Sequence, residues 1–210
     1  HFPKGSWKER KFPVLLVVGS DCDTGKMTTA WEVYLELNKR KWNVKFLGTG
    51  QTGILLSGNG VPIDAVVSDF MAGEIEYHLD KFSNDTDLVI VEGQGALNNM
   101  FYSGVTLGLL HGCMPDFLIM THEPYREFDV SDYPIPSLKE LMNLHLNLLK
   151  PFKDSTFVGI NLLTLKLDYY EAEKYIKNVN DKFDLPATDV VRFGSKGLIS
   201  SIETTIQAWK

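Results

Sequence analysis

The chain has 210 residues, enough for one medium domain that would bury on the order of 70% of its unfolded-chain surface. Its 44% apolar and 23% charged content is ordinary for a globular protein. A net charge of −6 and a pI near 5.4 speak against nucleic acid or an anionic membrane as main partner. No apolar run reaches the length of a membrane span, and no charged-then-apolar secretory signal opens the chain. Cys22 and Cys113 give no disulfide framework, so a reducing cytoplasm is the expected setting.

His1 to Phe12 mixes Pro3, Gly5 and the cations Lys4, Lys8, Arg10 and Lys11 with few apolar anchors. Residues 1–12 therefore read as a linker or arm from an N-terminal domain missing here, and 13–210 as one domain. Val14 to Val18 is an aliphatic run of the kind buried on both faces of a parallel sheet. Gly19 and Gly25 then bracket five residues, Ser20 to Thr24, and Lys26 follows at once. Such a loop curls its backbone N–H groups inward, and the next helix adds the positive end of its dipole. Lys26 adds a point charge for a terminal phosphate. Gly19, Asp21, Cys22, Thr24, Gly25, Lys26, Met27, Thr28 and Thr29 are thus the expected cofactor-binding set. The loop departs from the common G-x-x-x-x-G-K-[ST] pattern by one extra residue, and Met27 stands where a Mg²⁺-binding hydroxyl is usual.

A helix is expected from Lys26 to about Arg40, with Ala30, Val33, Tyr34 and Leu37 at helical spacing. Trp42 to Leu47 reads as a second strand. Gly48-Thr-Gly-Gln-Thr-Gly53 then reads as a loop where backbone approaches a ligand, making Thr49, Gln51 and Thr52 candidate substrate contacts. Val61 to Ser68 is short and apolar enough for a further strand. Asp69 is expected to cap a helix running to about Phe82, with contact to a substrate amine as its second role.

Asp87-Leu-Val-Ile-Val-Glu-Gly-Gln-Gly95 is the second informative stretch. Glu92 falls at the carboxyl end of a strand, where ligands sit in open parallel sheets. There it can hold Mg²⁺ or accept a proton. Tyr102 to Gly112 reads as a glycine-spaced, close-packed helix, with His111 structural. Asp116 to Thr121 is a buried strand that opens into a polar loop carrying His122, Glu123, Arg126, Asp129 and Asp132. His122 is a candidate base, and Arg126 a two-pronged clamp for a substrate carboxylate.

Ser137 to Leu149 is a strong helix with His145 inside its apolar stripe. Thr156 to Asn161 reads as a strand, Asp168 to Phe183 as an amphipathic helix, Asp189 to Phe193 as a last strand and Gly197 to Trp209 as a closing helix. The alternation of strands and helices predicts an α/β fold, a mostly parallel β-sheet flanked by helices in a three-layer sandwich.

Gly19-Ser-Asp-Cys-Asp-Thr-Gly-Lys-Met-Thr-Thr29 together with Val91-Glu-Gly-Gln-Gly95 resembles dethiobiotin synthetase. There the glutamate of a Val-Glu-Gly-x-Gly strand end binds Mg²⁺, which the resemblance carries to Glu92. A nearer resemblance covers almost the whole chain. Gly48 to Gly53, Val61-Pro-Ile-Asp-Ala-Val-Val-Ser-Asp-Phe70, Tyr102-Ser-Gly-Val-Thr-Leu-Gly-Leu-Leu-His-Gly112 and Val191-Arg-Phe-Gly194 look like the C-terminal P-loop domain of the D-glutamate N-acetyltransferase-like family. Methionine after the P-loop lysine is usual in that family, whose members carry a Rossmann-like domain ahead of this one. Dethiobiotin synthetase keeps a lysine after its second strand, and the Gly48 to Gly53 loop has none.

The resemblance implies a nucleotide-binding enzyme domain that acylates an amino acid of the D-glutamate kind with acetyl-CoA. An ATP- and Mg²⁺-dependent ligase is the second reading, and a nucleotide-binding regulatory module without turnover is the third. In the first, Glu92 or His122 deprotonates the amine and Arg126 holds the substrate carboxylate. Cys22 lies near a helix N-terminus, where a thiol pKa is expected to fall. The expected partners are a small amino-acid or carboxylate substrate and the Rossmann-like half, with room for a homo-oligomer, and neither nucleic acid nor membrane.

Overall fold

In the computed structural model, which describes residues 1–209, every strand of one sheet runs parallel to its neighbours. The strands are β1 (Val14–Gly19), β2 (Val44–Leu47), β3 (Leu88–Val91), β4 (Phe117–His122), β5 (Thr156–Leu162) and β6 (Ala187–Thr188). Their spatial order is β2-β3-β1-β4-β5-β6. The helices between them are α1 (Lys26–Lys39), α2 (Gln51–Ser57), α3 (Ser68–Leu79), α4 (Ser103–Cys113), α5 (Leu138–Leu149), α6 (Tyr169–Phe183) and α7 (Lys196–Trp209). This is the expected α/β sandwich.

Alternation along β1 divides the core. Val14, Leu16 and Val18 join one apolar cluster, with residues of α3, α4, α5 and α6. Leu15 and Val17 face the other, with residues of α1 and α7. Period-two alternation sends successive side chains to opposite faces, which explains why β1 reads as continuously apolar. The chain leaves β1 toward β2 on one side and crosses to β4 on the other. The carboxyl end of β1 is therefore the topological switch point, where open sheets form their crevice.

Local signals fix the later helices. Ser137 and Glu140 form a reciprocal capping box on α5, as do Asp168 and Glu171 on α6. His145 lies fully buried in the α5 stripe with Nδ1 2.8 Å from the Leu141 carbonyl. Residues 1–6 lie along α3, where the Glu76 carboxylate accepts the Lys4 and Ser6 N–H groups, while Arg10 donates to the Cys113 carbonyl at the end of α4 and Phe12 is buried in the core.

Four expected elements differ. Gly48 to Gly53 is not all loop, because α2 begins at Gln51. Val61 to Ser68 forms no strand; Ile63–Ala65 is a single 3₁₀ turn after Pro62. Asp69 does not cap α3. Val67 occupies the cap position without a side-chain bond, Asp69 is exposed in the first turn, and the helix ends at Leu79. A carboxylate in that first turn is favoured by the helix dipole. The last strand is Ala187–Thr188, not Asp189 to Phe193. The Asp189 carboxylate draws in the N–H groups of Val191 and Arg192 and turns the chain away from the sheet.

The glycines of α4 let α3 approach closely. A Cβ on Gly112 would stand 2.7 Å from the Ala72 carbonyl oxygen and 2.8 Å from Ile75 Cβ, whereas one on Gly104 would meet nothing within 4 Å. Gly112→Ala is expected to destabilise the chain by about 1–3 kcal/mol through overpacking. Gly104→Ala should be neutral or stabilising by up to about 1 kcal/mol, since alanine gives up less entropy in a helix. Urea midpoints of the two variants check both.

Candidate phosphate-binding site

The loop after β1 closes over its own lysine. Asp23 has φ 58° and Gly25 φ 92°, two left-handed turns that fold the backbone back before α1 starts. Lys26 is buried, and its Nζ donates to the Asp21 carbonyl at 2.6 Å. Burial lowers its pKa to about 8, only partly offset by Cys22, Asp21 and Asp23. The N–H groups of Lys26, Met27 and Thr28 open a helix and have no acceptor one turn back.

A cavity of about 420 Å³ lies in front of these groups. Cys22, Asp23, Gly25, Lys26, Met27 and Thr28 form one wall, and Glu92 to Gly95 the other. Gly93 has to be glycine, because a Cβ there would sit 1.8 Å from the Val17 carbonyl oxygen. Glu92 is 3% exposed, and its Oε2 accepts the N–H groups of Thr49 at 2.9 Å and Gly50 at 3.0 Å. The Thr49 hydroxyl closes the same corner by donating to the Glu92 carbonyl. Gly53 lies so close that a Cβ would come within 2.1 Å of Glu92 Oε2. The glycines between β2 and α2 thus bring backbone up to a carboxylate of the chain itself. Gln51 and Thr52, expected as substrate contacts, are exposed on α2, while Thr49 is buried.

Behind the loop stands a polar lattice. Asp21 is fully buried. Its Oδ2 pairs with Arg126 Nη2 at 2.8 Å and accepts the Val130 N–H at 2.9 Å, and its Oδ1 accepts from Asn99 Nδ2 at 3.1 Å. Arg126 Nη1 donates to the Cys22 carbonyl at 2.8 Å. Thr24 and Thr121 share a hydroxyl contact of 2.7 Å, and the Thr29 hydroxyl donates back to the Gly25 carbonyl. Ser20 Oγ lies 2.9 Å from His122 Nδ1. Asp21, Thr24 and Thr29 therefore turn their side chains into the protein, while Lys26, Met27 and Thr28 face the cavity.

Two expectations change here. The Cys22 pKa is raised, because partial burial outweighs the nearby Lys26 charge, so no thiolate is prepared at the helix start. Arg126 does not project both prongs toward a substrate; Asp21 and the Cys22 carbonyl already take them. His122 stands outside the cavity wall, and burial lowers its pKa to about 4. Sequence reasoning missed Asn99 and Ser20. Asn99 offered one signal, the adjacent pair Asn98-Asn99 shortly after Gly95.

Comparison with known proteins follows the same lines. The family model described as "Domain of unknown function (DUF1611_C) P-loop domain" matches residues 1–199. A D-glutamate N-acetyltransferase from Tritonibacter scottomollicae is 43% identical over 204 residues, covering 96% of this chain and 61% of that protein. The crystal structure of a DUF1611 family protein from Anabaena variabilis ATCC 29413 superposes with a TM-score of 0.92 at 35% identity, over 97% of this chain and 61% of that one. Cobyrinic acid a,c-diamide synthase from Mycobacterium smegmatis, solved with ADP and magnesium, shares the fold alone. Its TM-score is 0.58 at 12% identity, covering 94% of this chain and 95% of that one. The chain thus spans about three-fifths of the curated relative it matches.

Two outcomes follow from these buried charges and imidazoles. Arg126→Met strands the buried Asp21 carboxylate and should cost roughly 3 kcal/mol, and adding Asp21→Asn should recover part of it; a denaturant double-mutant cycle reads the coupling. His122 and His145 both have folded pKa values of about 4, below the ordinary 6.5. The unfolded chain therefore takes up protons first, and stability present above pH 6.5 is lost as pH falls toward 4. Each contributes a slope of about 1.4 kcal/mol per pH unit within that window. His145→Gln should flatten the wild-type slope between pH 6.5 and 5 in urea titrations.

Proposed function

This chain belongs to the DUF1611 family through its P-loop domain, and from that membership and the site geometry we propose that it is the nucleotide-binding part of an amino-acid N-acyltransferase using acyl-CoA. The observation that carries the reading is the cavity between the Lys26 loop and the Glu92 strand end, in a chain 43% identical to a D-glutamate N-acetyltransferase. Lys26 and the open N–H groups at the start of α1 hold a diphosphate. Met27 removes the hydroxyl that a magnesium triphosphate needs, and a CoA diphosphate needs none.

The transfer joins the acceptor nitrogen to the acyl carbon and breaks the carbon–sulfur bond of the thioester. The amine must lose a proton and the departing sulfur must gain one. Glu92 is the group on the cavity wall suited to carry it. Arg126 serves by holding Asp21 and the Cys22 carbonyl, which keeps the loop in shape. The acceptor is a small amino acid of the D-glutamate kind, and the setting is the cytoplasm.

ATP with Mg²⁺ is the second reading. Asp23, Glu92 and Thr28 line the cavity with oxygen donors. Among the described residues no group of three or more His, Cys, Asp or Glu side chains is gathered to hold a metal. A Mg²⁺ here would therefore take phosphate oxygens of the nucleotide among its ligands.

Calorimetric titration with acetyl-CoA and with ATP–Mg²⁺ separates the readings. Acetyl-CoA should bind, and Lys26→Ala should weaken it at least tenfold. The whole protein should transfer acetyl to D-glutamate, and Glu92→Gln should lower kcat by at least a hundredfold with little change in acetyl-CoA affinity. Binding of ATP–Mg²⁺ alone would favour the ligase; unchanged binding in Lys26→Ala would overturn the cradle.

A further inference from the structure

A second cavity, of about 510 Å³, lies on the far side of the phosphate loop, between the β4–α5 connection and α6. It shares no lining residue with the first. Its floor is apolar, made by Ile135, Leu138, Val179 and Phe183. Its rim carries one anion, Glu127, and one cation, Lys182, both exposed. Among the described residues these two make no ion pair, with each other or with any other side chain. An exposed anion and an exposed cation lining one apolar cavity, the Lys182 ammonium 5.5 Å from the Phe183 ring centroid, match a ligand that carries both charges on one end and a hydrocarbon body on the other. Each charge then gains a partner without either being moved from water into an uncompensated site.

The inner wall gives the cavity a connection. His122 and Arg126 both line it. His122 Nδ1 lies 2.9 Å from Ser20 Oγ, and Arg126 holds Asp21 and the Cys22 carbonyl. Cys22 in turn lines the phosphate cavity. A ligand pressing on this wall reaches the phosphate loop through two side chains whose other ends are already bound to it.

We propose that this cavity binds a free amino acid with an aliphatic side chain, its carboxylate on Lys182 and its ammonium on Glu127, and that occupancy changes anion affinity at the Lys26 loop. The occupant is an effector, since His122 and Arg126 stand between it and the phosphate cavity. Binding and coupling are independent of which nucleotide the loop takes.

Calorimetric titration of the chain with norleucine, hexanoate and pentylamine tests the assignment. Norleucine should bind at least tenfold more tightly than either singly charged analogue. Glu127→Gln and Lys182→Gln should each weaken it about tenfold, and Val179→Trp should abolish it by filling the floor. Saturating norleucine should shift pyrophosphate affinity at least threefold in the unaltered chain and leave it unchanged in Val179→Trp. Equal binding of hexanoate, undiminished norleucine binding in the two rim variants, or no saturable norleucine binding overturns the site. An unshifted pyrophosphate affinity overturns the coupling. Failure of pyrophosphate to bind at all counts against the phosphate cradle instead, and the norleucine isotherms still decide the second site.

Discussion

A fully buried carboxylate, Asp21, governs the shape of the phosphate loop. A charge withdrawn from water is costly unless each lone pair finds a donor. Here Arg126, Asn99 and the Val130 N–H supply them from two separate connections, one after β3 and one after β4. The loop is therefore tied to the neighbouring strand ends on both sides of β1. Because Asp21 is satisfied inward, its own carbonyl is left to face Lys26, and the lysine is parked where an anion can claim it.

The same economy of backbone and carboxylate recurs across the cavity. Glu92 accepts two N–H groups at the start of α2, and a side chain at Gly53 would strike its buried carboxylate. Two acidic residues thus organise the two walls, one through an arginine and one through amides. Neither depends on the exposed side chains of Gln51 and Thr52.

What was legible in sequence was local. The aliphatic run of β1, the bracketing glycines and Lys26 are contiguous, and Glu92 sits beside its own strand and glycines. The capping boxes of α5 and α6 lie within three residues, so those helices could be placed closely. What was not legible depended on distance along the chain. Arg126 meets Cys22 across 104 positions, and nothing near either residue announces the contact. The fate of Asp189 likewise rested on Thr164, whose N–H and hydroxyl it accepts and which helps make it a turn and not a strand. Position at a helix start favours a thiolate at Cys22, but its partial burial, invisible in the sequence, raises the pKa instead. The docking of the first residues on Glu76 is a contact of the same long-range kind.

β1 feeds alternate residues into two opposed apolar clusters and pairs Gly19 with Thr121 at its upper end. The strand works as a ruler. Its aliphatic rungs are locked from both sides, so the height at which the chain breaks into the loop is set by the interior and not by the loop. One residue more or less in the run would move that break by about 3.3 Å and turn every rung to the wrong face. The reach of Lys26 is in this sense a property of the hydrophobic core.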